Sequence, residues 1–148
     1  MVSGGFDPVH IGHVRMFNEA KKLGDKLIVV LNNDHWLKKK KGKEFMPEHE
    51  RKEIIEAFSS VDEVIISEHP ENPEDMSICR ELIKIRPHIF ANGGDSNEKD
   101  ADDPTSSLYK EKQIHKEFGI KMVYNVGKGG KIRSSSELLK EYANKNKK

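Results

Sequence analysis

Five short apolar runs separated by helix-length segments constrain this chain more than any other feature. Leu27-Ile28-Val29-Val30-Leu31 is a continuous aliphatic and β-branched run, of the kind buried on both faces of a parallel sheet. Residues 61–66, 88–91 and 121–126 read as further strands, and Met1-Val2-Ser3 as the end of a first one. Helices are expected over 13–23, 47–58, 76–85 and 108–118, with a last one over 135–143. Gly24 and Gly119 stand where a helix end favours glycine, Pro47 where a first turn tolerates proline, and Pro87 where a helix must stop. Residues 36–43, dominated by lysine, and 92–107 and 127–131 read as loops. Strands alternating with helices specify an α/β fold: a Rossmann-like, doubly wound, mostly parallel five-stranded sheet flanked by helices. A length of 148 residues suits one domain, 1–148.

Charge narrows the function classes. Charged residues make up 34% of the chain, but their signs cancel to a formal +1. A nucleic-acid-binding domain usually carries a strong basic excess, so that class is set aside, whereas a local basic site for a phosphorylated ligand is not. Apolar runs stay far short of the roughly 20 residues that cross a bilayer, and residues 1–6 do not read as a secretory signal. Cys79 is the only cysteine, which rules out an intramolecular disulfide. The expectation is a cytoplasmic protein with neither nucleic acid nor membrane among its partners.

The chemistry concentrates in Gly4-Gly5-Phe6-Asp7-Pro8-Val9-His10-Ile11-Gly12-His13, between the first strand and the first helix. In a doubly wound sheet such a junction lies at the carboxyl edge, where ligands bind. Gly4 and Gly5 permit a tight turn and close approach of backbone to a ligand. Gly12 leaves no side chain between His10 and His13, and the N–H groups of a helix start favour an anion there. Two imidazoles so placed can donate to a phosphate whose charge grows in a transition state. A His-x-x-His pair is also half a metal site, but cysteine or carboxylate ligands at metal spacing are absent, so no protein-held metal is expected. The glycines lack the dinucleotide fingerprint, which disfavours an oxidoreductase.

With these residues in place, the segment from Gly5 to His13 resembles the His-x-Gly-His signature of the cytidylyltransferase-like nucleotidyltransferases. Later segments match that family in order: Ala20-Lys21-Lys22-Leu23-Gly24-Asp25 with the strand after it, Asn33-Asp34, the lysines from Lys40 to Lys43, the Glu50-Arg51 helix start, Asn92-Gly93-Gly94-Asp95, and Ser134-Ser135-Ser136. The resemblance implies transfer of a nucleoside monophosphate from a triphosphate to a phosphorylated small molecule, releasing pyrophosphate, with Mg2+ carried in by the triphosphate. It implies catalytic roles for His10, His13, Lys40 and Arg51. It implies nucleotide contacts from Gly4, Gly5, Phe6, Asp7, Gly12, Gly93, Asp95, Ser134, Ser135 and Ser136. Each has a plainer reading beside it: lysines solvate a surface, Arg51 pairs with a neighbouring glutamate, Gly93 to Asp95 form an ordinary turn, and serines cap a helix.

The nucleotide stays open between CTP and ATP. Spacing and length favour CTP, and hence cytidylyl transfer. Gly93-Gly94-Asp95, however, is closer to the heptose-phosphate adenylyltransferase pattern than to the glycerol- and choline-phosphate enzymes. Glycine also falls where those cytidylyltransferases carry an arginine before the serine-rich helix, so Lys128, Lys131 or Arg133 must replace its charge, or nothing does. The alternatives are an ATP-dependent adenylyltransferase of the sugar-phosphate type and a nucleotide-binding module without chemistry. A homodimer is left open.

Overall fold

The computed structural model describes residues 1–93, 98–127 and 134–147. In chain order the elements are β1 (Val2–Gly4), α1 (Ile11–Lys21), β2 (Ile28–Leu31), α2 (Asp34–Lys41), α3 (Glu48–Glu56) and β3 (Glu63–Ile66), then α4 (Cys79–Ile85), β4 (Ile89–Gly93), α5 (Glu98–Asp102), α6 (Ser107–Phe118), β5 (Lys121–Val126) and α7 (Ser135–Lys145). The strands pair in parallel, as the apolar runs require.

The sheet departs from the expected continuous five strands. Hydrogen-bonded ladders form a three-stranded sheet, β1-β2-β3, and a two-stranded one, β4-β5. β1 has only three residues. Its contact with β4 is reduced to two bonds from Met1, whose ammonium donates to the Ile89 carbonyl (2.8 Å) and whose carbonyl accepts from Ala91 N–H (2.9 Å). Too few residues face each other there to make a ladder, but the two sheets lie edge to edge.

Period-2 alternation sends side chains to both faces. Val2, Val29, Leu31, Val64 and Ala91 join Phe17, Ala20 and Ile55 from α1 and α3 in one core cluster. Val30 and Phe90 join Leu82, Ala101 and Leu108 from α4, α5 and α6 in the other. Helices therefore cover both faces, which is the doubly wound arrangement.

Two segments read as loops contain helices. The lysine-rich stretch folds as α2 because Asn33 caps it, accepting from Trp36 N–H at 3.0 Å, and Gly42 (φ 87°) ends it. Asp34 in the first turn and Lys38 to Lys41 in the last complement the helix dipole, so lysines expected to repel into a loop instead suit a helix C-terminus. Within 92–107, α5 buries Ala101 completely. Asp95, Gly94 and the 128–131 part of the last expected loop, with Arg133, lie outside the described residues.

Candidate active site

The turn from Gly4 to His13 forms as the glycines and histidines suggest. Phe6 adopts φ 49°, in the left-handed region, and folds its ring back over Gly4, where a Cβ would lie 2.9 Å from Phe6 Cζ. Phe6 is buried, edge-on to His13 (centroids 4.9 Å apart) and to Phe17 (5.1 Å). Expected as a nucleotide contact, its side chain is the floor beneath the histidines. At Gly12 a Cβ would lie 2.9 Å from His10 Cε1, so only glycine lets that ring close on the helix start.

His10 and His13 cap α1 reciprocally, in the manner of a capping box built from imidazoles. His10 Nδ1 accepts from Gly12 N–H at 3.1 Å, and His13 Nδ1 accepts from His10 N–H at 3.2 Å. Because each Nδ1 accepts, each neutral ring carries its proton on Nε2 and is a donor there. The rings stack with centroids 3.8 Å apart. Burial first, then repulsion against protonating both stacked rings and the charge of Lys41, lowers the His13 pKa to about 3. A neutral donor at a helix N-terminus thus holds across the physiological range.

This shift has a measurable sign. His13 in the fold resists protonation that the unfolded chain accepts near 6.5, so its contribution is intact above pH 6.5 and lost as pH falls toward 3. Glu111, buried in α6 and accepting from Ile78 N–H, is raised from 4.5 to about 7, chiefly by burial. Its contribution is present below pH 4.5 and lost as pH rises through 7. Denaturant midpoints measured from pH 4 to 8 are expected to lose their acid fall in His13→Gln and their neutral-side decline in Glu111→Gln. Unchanged profiles would contradict both assignments.

The remaining expected residues divide by placement. Asp7 is buried, and its carboxylate accepts from Phe45 N–H (2.6 Å) and Met46 N–H (2.7 Å), tying the segment after α2 to the turn. Arg51, expected on the phosphates, is 0% exposed. Its Nη1 donates to the carbonyls of Gly5 and Asn32 (2.7 Å each), Nε to that of Met46 (2.9 Å), and Nη2 to Asp34 Oδ1 (2.7 Å). It is a buried clamp for the turn rather than an open cation. Gly5 packs under Trp36 and Leu37, and Gly93 under Met16, whose Sδ leaves no room for a Cβ there. Ser134 caps α7 in a box with Glu137, and Ser135 Oγ donates to the Pro8 carbonyl at 2.8 Å, so the α7 N-terminus abuts the turn. Ser136 is half-buried in the first turn of α7.

Lys40, expected among the catalytic residues, and its neighbour Lys41 both lie in the last turn of α2. Lys40 and Lys41 are both exposed, and neither has an ion pair among the described residues. Lys41 acts on His13, and partial burial lowers its pKa, with Arg51 and Lys40 pushing the same way and Asp7 opposing. Lys41 stands one turn beyond Leu37, the buried residue of a helix capped at Asn33. Asn32, which the motif reading passed over, is also buried beside the turn, its N–H donating to the Gly4 carbonyl at 2.8 Å.

Comparison with known proteins gives the family. The profile of the cytidylyltransferase-like family matches residues 1–140. An FAD synthase of Ferroglobus placidus is 38% identical over 97 residues, covering 66% of this chain and 59% of that protein. One of Pyrococcus abyssi is 39% identical over 99 residues, covering 66% and 63%. The chain thus spans about three fifths of the length of these relatives. The bifunctional protein HldE of Aliarcobacter butzleri is 43% identical over 102 residues, 66% of this chain and 20% of that protein. Among solved structures, the lipopolysaccharide core biosynthesis protein of Thermoplasma volcanium superposes with a TM-score of 0.64 at 27% identity, covering 86% of this chain and 94% of that one.

Proposed function

The chain belongs to the cytidylyltransferase-like family, and from that premise we propose that it is an adenylyltransferase, moving AMP from ATP to the phosphate of a small phosphorylated acceptor. The chemistry rests on one observation, the stacked pair of Nε2–H donors at the N-terminus of α1. The choice of nucleotide rests on the relatives. FAD is FMN joined to AMP through a pyrophosphate link, so relatives named FAD synthase support ATP as donor and FMN as acceptor. The heptose-phosphate resemblance of Gly93-Gly94-Asp95 and the lipopolysaccharide neighbour support ATP with a sugar phosphate. Both readings replace the leaning toward CTP.

In the proposed step an acceptor phosphate oxygen bonds to the α-phosphorus of ATP as the bond from that phosphorus to the bridging oxygen breaks, and pyrophosphate leaves with both electrons. Such in-line transfer needs positioning and charge stabilisation more than covalent help. His10 and His13 would donate from Nε2 to the α-phosphate, with the N–H groups of α1 behind them. Lys41 would supply the cation facing the phosphates, with Lys40 at the rim, and the N-terminus of α7, at Ser134 to Ser136, would present a second anion-facing edge. Arg51 and Asp7 would act through the turn they hold, while Gly93 and Asp95 would serve the nucleoside. No cluster of three His, Cys, Asp or Glu side chains suited to a metal occurs among the described residues. Mg2+ carried in by the triphosphate would be held by phosphate oxygens and water and would supply charge neutralisation for the leaving pyrophosphate.

Pyrophosphate release tests the choice of nucleotide. With Mg2+ and FMN or heptose 1-phosphate, release is expected with ATP at least tenfold faster than with CTP. Equal or faster release with CTP would return the chain to cytidylyl transfer.

A further inference from the structure

Two neighbours hold α2, one on each side. Residues three apart share a helix face. On that face Asn33 donates from its backbone N–H to Ser67 Oγ (2.9 Å) and from Nδ2 to the His69 carbonyl (2.8 Å). One turn further along, Trp36 Nε1–H donates to the Met76 carbonyl at 2.9 Å. All three acceptors belong to the segment that follows β3. The benzene edge of the same indole meets the catalytic turn, where a Cβ at Gly5 would lie 3.3 Å from Trp36 Cζ3. Trp36 thus bridges the segment after β3 and the turn that leads into His10 and His13.

That segment is itself pinned. His69 is buried, with Nε2 2.9 Å from the Ser77 carbonyl and Nδ1 2.7 Å from Ser67 Oγ. A carbonyl only accepts, so Nε2 carries the proton and Nδ1 accepts from the Ser67 hydroxyl. Ser67 Oγ is then left to accept from Asn33 N–H, and the chain of bonds is complete. Glu81 and Glu111, both buried, hold the segment at its two ends through Glu68 N–H (2.8 Å) and Ile78 N–H (3.0 Å). With Asn33 and Trp36 bound to it, α2 takes its direction from this segment. Lys41, in the last turn of α2, bears on His13.

We propose that Trp36 is a positioning residue for nucleotidyl transfer: its indole fixes α2 against the catalytic turn, so that Lys41 and the α1 histidines address the triphosphate together. This rests on the nucleotidyl-transfer reading and holds for whichever triphosphate is the donor. Without the N–H bond, α2 pivots about its capped end and carries Lys41 with it. The small displacement costs rate rather than binding, because the charge these groups serve grows in the transition state.

Trp36 is the only tryptophan in the chain, so protein made with benzothienylalanine in place of tryptophan is altered at this one residue. That isostere keeps the bicyclic ring on Gly5 and loses the N–H to Met76; Trp36→Phe is the genetic counterpart. Initial rates with ATP, Mg2+ and FMN or heptose 1-phosphate, and with CTP in parallel, are compared with wild type alongside thermal midpoints. The isostere is expected to lower kcat about tenfold, with KM for nucleotide and acceptor within about twofold and the midpoint within about 3 °C. Trp36→Phe should lower kcat at least as much. An unchanged kcat would overturn the proposal. So would a loss of kcat in step with a fallen midpoint that cooling restores, which marks a merely structural role. A raised KM with kcat intact would overturn it too, placing the indole on a ligand. The same kcat loss with CTP, in an enzyme that does not use ATP, would support the proposal and overturn the adenylyl reading. No turnover by wild type with either nucleotide would overturn both.

Discussion

Replacing His13 or His10 with alanine is expected to lower kcat by about 100- to 1,000-fold, the usual loss for one preorganised donor to a developing charge. The KM for ATP should move far less, because the donors matter most when charge accumulates on the α-phosphate. Both substitutions also remove a cap from α1, since His10 accepts from Gly12 N–H and His13 from His10 N–H. That loss is worth about 1 kcal/mol each, small beside the catalytic effect and visible separately as a lower unfolding midpoint. His13→Gln offers a control, keeping an amide that can cap while losing the ring stacked on His10. Near-normal turnover by either folded alanine variant would remove that histidine from the chemistry.

The second large effect is on stability. Arg51→Ala is expected to cost about 3–5 kcal/mol, because it strips partners from three carbonyls, that of Asn32 buried and those of Gly5 and Met46 partly so, and leaves Asp34 without its ion pair. For a chain of this size that is a fall of roughly 10 °C in the thermal midpoint. Arg51→Lys should recover little, since one ammonium cannot reach Gly5, Asn32, Met46 and Asp34 at once. Loss of activity with an unchanged midpoint would instead place Arg51 on a ligand. The clamp account predicts that stability falls and that the turn it holds loosens with it.

Much of this was readable in the sequence where local physics decides. Val29, Val30 and Leu31 are buried completely, as an uninterrupted aliphatic strand requires. The Gly4 to His13 turn was legible because glycine and histidine each have few reasons to occur together at a strand-to-helix junction. What escaped depends on distant backbone. Nothing in the residue type of Arg51 says that its partners are the carbonyls of Gly5, Asn32 and Met46. Nothing in the sequence separates Lys40 from Lys41, because helical phase matters only once α2 is known to be a helix, and four lysines have the composition of a solvated loop. The five strands were placed correctly, but continuity of the sheet depends on how many residues of β1 face β4, and that count is not visible in a hydrophobic pattern. Asn32 looks like an ordinary residue at a strand end; only the structure shows it buried, with an unpartnered Oδ1.

The central claim is that the α-phosphate of ATP moves to the acceptor as part of AMP. ATP labelled with 32P at the α position, incubated with the protein, Mg2+ and FMN or heptose 1-phosphate, tests it most directly. The account predicts that label appears in a product containing both the adenosine and the acceptor, joined through a new pyrophosphate link, while unlabelled pyrophosphate is released in equal amount. Label confined to ATP, or to AMP formed by hydrolysis with no acceptor attached, would contradict it.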